Sequence, residues 1–453
     1  MEIRVLGPNG NIGTGFKEES FERGIKLNPH VIACDAGSTD SGAYALGTGI
    51  AKPARSAIKR DTRLILLGRD ELKVPLIIGS CGTSGSDVAV DWMRDIVIEI
   101  AKEENLHFKI ALIKADQDKT YLKQKLGEGK IKPLFPEFEY TEETINKSAR
   151  IVGVMGYEQL NRALSEGADV ILAGRATDTS LFAVVPLRMG ADPGLTWHMA
   201  KTIECGAACA VVPAADSMFV RIRDTEFEVE PLDLDLKVTP LTIAAHTLYE
   251  NLSPFEIREP EGTIVTENCE YQAKDNRSVI VKGSEFRKET YTIKLEGAEL
   301  VGYQTVIIGG IRDPYIIKQL DSLFKLADAY FGEKVPKMFP GLKKDDFSIH
   351  FRVYGKNGVM GPMEPLKDQV GHEVGLLITI TAQSQELATE ISKFVAHISA
   401  HLPIPEWEGI ISTIAYPFSP PEIEKGPVYR FNVNHVVEPD DPFEMFRFSY
   451  EEV

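Results

Sequence analysis

The stretch VPLIIGSCGTSGSDVAVDWMRDIVIEI, residues 74–100, sets the fold class. Val74 to Ile78 form a continuous apolar run, the mark of a strand covered on both faces. Val88, Trp92, Met93, Ile96, Val97 and Ile100 then recur at the three-and-four spacing of a helix that starts near Ser86. Between them, Gly79 to Ser86 are almost all small and polar. This loop reads as a tight turn, or as a cradle whose free N–H groups and helix dipole hold an anion. Ser80, Cys81, Gly82, Thr83 and Ser84 are the residues that would face it. No lysine follows, so the loop is not a nucleotide P-loop.

The same strand–loop–helix grammar runs outward in both directions. IRVLG precedes the glycine-dense turn Gly7 to Gly15, and Phe16, Phe21 and Ile25 mark a short helix. HVIACDAG, FKIALIKA, ARIVGVMG and ADVILAG are further strands, and YEQLNRALSEG is a helix closed by Gly167. Residues 1–230 are therefore predicted to be a doubly wound, mostly parallel α/β domain with Rossmann-like order. After about residue 215 the pattern changes. MFVRIRDTEFEVEPL alternates, SVIVKGSEFRKETYTIKLEG suggests an antiparallel pair, and SIHFRVYGKNGVMG suggests a strand entering an Asn357-Gly358 hairpin turn. Residues 231–453 are predicted to be an α+β domain.

In an open parallel sheet, ligands bind beyond the carboxyl ends of the strands. Four polar loops share that address. The first carries Asn11 and the glycines Gly7, Gly10 and Gly13, a dinucleotide-like spacing with one residue too many in its first gap, followed by Asp35. The second, CDAGSTDSG, sets Asp35 and Asp40 around Ser38 and Thr39. These carboxylates suit acid–base work or a divalent cation, or alternatively a helix cap and an Asx-turn. The third is the opening loop. The fourth, GRATDTS, offers Arg175 as a carboxylate clamp beside Thr177 and Asp178, or an Arg175–Asp178 pair that only fixes the loop. Cys205 and Cys209 share a face if CGAAC is helical, but two thiolates fall short of a closed metal site without Cys34 or Cys81. His397 and His401 stand four apart, with His397 in a core-like run, so packing is expected. His350, Arg352 and Tyr354 alternate onto one face of a strand.

Composition narrows the class. The 453 residues are 43% hydrophobic and 26% charged, as in globular proteins, and exceed one ordinary core. The net charge of −17 comes without a basic block, which argues against nucleic acid. Five cysteines, sparse and odd in number, argue against a disulfide framework. No membrane-length apolar run and no secretory leader pattern are seen, so a cytoplasmic location and no membrane partner are expected.

Six ordered stretches resemble the acyclic terpene utilization AtuA family: ACDAGSTDSG, AHTLYENLSPFEIREPEG, LEGAELVGYQT, RVYGKNGVMGPMEP, HEVGLLITITAQSQELA and IAYPFSPPEI. The family is named from bacterial clusters that degrade acyclic terpenes through acyl-CoA intermediates, and members occur with a small companion domain. The resemblance therefore implies organic-acid or terpene catabolism and a companion subunit, and it carries over no catalytic residues.

The combined expectation is a homo-oligomeric hydro-lyase acting on a small hydroxy acid or its acyl-CoA thioester, bound as an anion. Asp35 or Asp40 would move the proton, amides near Ser80 to Ser84 would steady an oxyanion, and Arg175 with Asp178 would complete the site. The alternatives are a thioester or amide hydrolase using Ser80, Cys81 or Ser84, and a non-catalytic acyl-CoA-binding subunit.

Overall fold

Five short apolar strands carry the amino-terminal architecture. Ile3–Gly7, Val31–Asp35, Leu76–Gly79, Val170–Ala173 and Lys109–Lys114 lie side by side in that order, all parallel. The central three are buried along their whole length, as strands covered on both faces must be. One face is covered by helices Glu18–Lys26, Arg55–Leu72 and Asp87–Glu104, whose Phe21, Ile65, Met93 and Ile96 join Leu6, Ile32 and Ile78 in one core. Helix Asp178–Arg188 also packs on these strands, with Phe182 beside Gly7 and Leu181 beside Gly79. Within helix Asp87–Glu104, Met93, Ile96, Val97 and Ile100 are buried as predicted, whereas Val88 is exposed.

The computed structural model describes residues 2–403 and 412–453. It divides into two compact units, Met1–Glu299 with Arg430–Val453, and Leu300–Tyr429. The division falls at 299 and 430, whereas the boundary expected from the sequence lies at 230. The chain after 230 goes on supplying strands to the first sheet, and composition does not record that.

The sheet of the first unit has ten strands and is mixed, which corrects the expectation of a mostly parallel, doubly wound sheet. Met218–Ile222, Phe227–Pro231, Val279–Lys282 and Glu270–Ala273 continue it antiparallel beyond Ile3–Gly7. Arg447–Glu452 closes the far edge antiparallel to Lys109–Lys114. Links such as the one from Ile222 to Phe227 are too short for a crossover, so only antiparallel pairing is open to them. Ser148–Val154, read as a sister of the parallel strands, instead pairs antiparallel with Lys294–Glu299. The segment read as one antiparallel pair is also split. Val279–Lys282 joins the large sheet, and Glu285–Lys288 joins a three-stranded sheet with Gly262–Val265 and Glu256–Glu259.

In the second unit, Tyr303–Ile311, Val374–Ala382 and Phe347–Tyr354 form an antiparallel sheet. Helices Leu320–Met338 and Gln385–Ser399 supply Leu323, Phe331, Ile391 and Val395 to its core. Phe347–Tyr354 and Val374–Ala382 are antiparallel neighbours, but the chain from 355 to 373 joins them, so Asn357-Gly358 is not a two-residue hairpin turn. His350, Arg352 and Tyr354 are all exposed, as are His397 and His401, so the packing role expected for the two histidines is not seen. The IAYPFSPPEI stretch lies among the described residues, whereas 404–411 fall outside them.

Candidate functional site

The four loops meet at one rim of the sheet. The Ile12 amide donates to Asp35 O (2.9 Å), Ala36 to Gly79 O (2.9 Å), Thr83 to Ala36 O (3.0 Å) and Ser80 to Gly174 O (3.0 Å). Their approach leaves no space for side chains. A Cβ on Gly37 would lie 2.3 Å from Thr83 Cα, and one on Gly10 would lie 2.5 Å from the Cys205 carbonyl carbon. Gly10 is thus explained by backbone packing against another loop rather than by a dinucleotide phosphate.

The opening loop is sealed. Its amides at Ser80, Cys81, Thr83, Ser84 and Gly85 donate to the carbonyls of Gly174, Ala173, Ala36, Gly82 and Cys81. Ser80, Cys81, Gly82, Thr83 and Ser84 are all buried. The loop is a packing junction between strand ends, and the amides of Ser80, Cys81, Thr83 and Ser84 expected to cradle an anion are bonded within the protein. Its candidate nucleophiles are also out of reach. Ser80 Oγ accepts from Arg175 (3.1 Å), and burial raises the Cys81 thiol far above its ordinary pKa.

Beside this junction lies a cavity of about 380 Å³, walled by Asn9, Asn11, Thr14, Asp35, Ser38 and Asp40 from the first two loops. Asp178, Cys205, Ala208, Tyr249 and Glu250 also line it. Of the predicted site residues, the structure brings Asp35, Asp40, Asp178, Ser38 and Asn11 to this cavity. Thr39, Thr177, Arg175 and the opening-loop residues are not on its wall. Thr177 instead caps helix Asp178–Arg188, accepting from the Ser180 amide. Arg175 does not extend into the cavity as a clamp. Its Nε donates to Glu296 (3.0 Å), and its other nitrogens reach Ser80 Oγ (3.1 Å) and Thr39 Oγ1 (3.4 Å).

The electrostatics of the wall reverse the expectation. It carries four carboxyl groups and no lysine or arginine. Burial, and next the Asp178 charge, push Asp35 well above the usual carboxylate range, against Arg175 and the amides of Gly37 and Ala36. Burial also raises Asp178, opposed by Arg175 and Lys201. Glu250 is raised by burial and by Asp40. It adopts φ +60°, uncommon for a residue with a Cβ. Two cations flank the wall, Arg175 partly buried and Lys201 buried, and each is engaged by a glutamate. Against the upward push of burial, Arg175 and Lys294 hold Glu296 at about 2. Lys201 and Glu204 form an ion pair within one helical turn, each almost fully buried. Among the described residues no three His, Cys, Asp or Glu side chains come together as a metal site. Cys205 reaches the wall and Cys209 is buried, with Gly206–Cys209 a short 3₁₀ turn.

Sequence reasoning missed Tyr249, Glu250, Lys201, Glu204 and Glu296 as neighbours of the site. A signal existed for the first two, which lie inside AHTLYENLSPFEIREPEG, and for Glu296, which lies inside LEGAELVGYQT.

Fold and cavity together define an α/β protein with an acidic cavity at the carboxyl ends of its parallel strands. Residues 79–187 and 234–407, more than half of the chain, match the model of the acyclic terpene utilisation family protein AtuA, and the chain belongs to that family. The matched segments include Arg175, Asp178 and Glu250 and leave Asp35, Asp40 and Cys205 outside. No curated protein matches the chain, and no solved structure does. Among the described residues no helix is long and apolar enough to cross a membrane.

Proposed function

We propose that the protein is a hydro-lyase that adds or removes water across a carbon–carbon bond of a small hydroxy acid or its acyl-CoA thioester. The observation that carries the reading is the Asp35–Asp178 pair on the cavity wall, two neighbouring carboxyls both raised by burial, of which Asp35 is held well above the usual range while Arg175 and Lys201 oppose the rise at Asp178. Asp178 opens helix Asp178–Arg188, where the dipole favours an anion, and Arg175 and Lys201 lie near it. Asp35 is 3% exposed and held toward its protonated form by burial. Groups with separated proton affinities serve as acid and base.

In the dehydrating direction, ionised Asp178 takes the proton from the carbon next to the carbonyl. The C–H electron pair becomes the new double bond, and the C–O bond of the leaving hydroxyl breaks. Protonated Asp35 supplies the proton that makes the leaving group water. Asp40, Glu250 and Tyr249 border the same cavity and would hold the hydroxyl.

The test is absorbance of the conjugated alkene with 2- and 3-hydroxy acids and their thioesters, run with solvent deuterium exchange at the adjacent carbon. Alkene formation that is lost in both Asp35→Asn and Asp178→Asn supports the reading. No alkene and no exchange from the whole panel overturns it. We also propose a companion subunit and a homo-oligomer, with a non-catalytic acyl-CoA-binding role as the alternative to catalysis. Ligand-induced thermal stabilisation without turnover would favour the last of these.

A further inference from the structure

We propose that the cavity accepts its ligand as an uncharged, hydroxyl-bearing group and disfavours the free carboxylate form. The proposal rests on the hydro-lyase reading for the reaction and on the cavity wall for the ligand. The ionised carboxyls of that wall repel an anion, and the wall carries no lysine or arginine to neutralise one. Arg175 is engaged by Glu296 (3.0 Å) and Lys201 by Glu204. The amides of Ser80, Cys81, Thr83 and Ser84 are bonded inside the protein. At the start of helix Asp178–Arg188, Thr177 accepts the Ser180 amide, and Asp178 already occupies the first turn.

An independent observation points to what does bind. Asp35 is 3% exposed, and its Oδ2 accepts from the Gly37 amide (3.1 Å), but its buried Oδ1 has no hydrogen-bond partner. Asn11 Oδ1, on the same wall, is also buried and without a partner. Buried polar atoms without partners are rare in native proteins, and these two call for a ligand that brings both a donor to Asn11 and an acceptor to protonated Asp35. A hydroxyl or amide group does so without adding negative charge. A cation would also bring donors, but it would meet Arg175 and Lys201 beside the same carboxyls, so it gains less than the charge of the wall alone suggests.

The experiment is a ligand-observed NMR titration of the purified full-length protein at neutral pH with three probes of nearly equal size. These are 3-hydroxybutyramide, 3-hydroxybutyrate and 4-amino-2-butanol, which are neutral, anionic and cationic. The amide is expected to bind roughly tenfold or more tighter than the acid, a difference of about 1.4 kcal/mol or more. The amine is expected to bind no tighter than the amide. Asp40→Asn/Glu250→Gln should narrow the gap between amide and acid. The proposal is overturned if the acid matches the amide, if the amine binds tightest, or if no probe binds saturably. Dehydration of the acid with weak amide binding would sink this inference and leave the hydro-lyase reading standing. A clear preference for the amide, with no alkene from any substrate, would do the reverse.

Discussion

At the scale of single residues, the site is defined by which charges have partners. Asp35 is the group whose ionisation the fold resists most directly. Its native pKa lies above the unfolded value of about 3.9, so ionising it costs more in the folded state. Its contribution to stability is therefore unchanged below the unfolded pKa and turns unfavourable as pH rises from there toward the folded value. Asp35→Asn removes that cost. The variant should match the parent melting temperature near pH 4 and exceed it increasingly toward pH 7.5. Equal melting curves at both pH values would contradict the assignment. Arg175 has the opposite character. Arg175→Met leaves Glu296 buried beside Lys294 alone, and breaking a buried pair in this way costs about 3–5 kcal/mol. Urea unfolding should show this loss, and a loss below about 1 kcal/mol would place the pair in the range of exposed ones. Loop residues of this kind were legible as a set because small polar clusters follow apolar runs. The direction of Arg175 was not legible, because its partner Glu296 lies 121 residues further along the chain.

At the scale of elements, local chemistry and tertiary pairing part company. Helices were readable because their signals are local. Asp87–Glu104 begins where its spacing predicted, and Gly167, with φ +83°, follows Glu166, the C-cap of helix Tyr157–Ser165. Gln385–Ser399 is capped by Ser384, whose Oγ accepts from the Leu387 amide (3.2 Å). Ser384→Ala should destabilise the protein by about 1 kcal/mol with no change in the denaturant slope, as read by chemical unfolding. A change in slope would mean that more than the cap had been lost. Strands were readable as strands but not as neighbours. Ser148–Val154 and Val170–Ala173 look alike in sequence, yet one pairs antiparallel with Lys294–Glu299 and the other lies within the parallel set, between Leu76–Gly79 and Lys109–Lys114. An apolar run records burial and leaves open which edge it will meet.

At the scale of the whole molecule, the chain returns to complete its first unit. Arg447–Glu452 pairs along Lys109–Lys114, and Arg94 holds Glu451 through Nε (2.8 Å). Removing residues 446–453 should uncover the Lys109–Lys114 edge, lower the melting temperature and cause concentration-dependent association. Light scattering across a dilution series would show it. A truncated chain that melts like the parent and does not associate would mean the strand is only an ornament of the edge. The sequence by itself determined the helices, the apolar strands, the family membership, and the gathering of polar loops at the strand ends. Each of these follows from residue types within a few positions of one another. Only the tertiary structure decided that the sheet is mixed, that the glycine-serine loop is closed by backbone bonds, and that Arg175 turns away from an acidic cavity. Those outcomes depend on pairings between groups far apart in the chain. Which donor meets which acceptor there is settled by packing, and no local pattern encodes it.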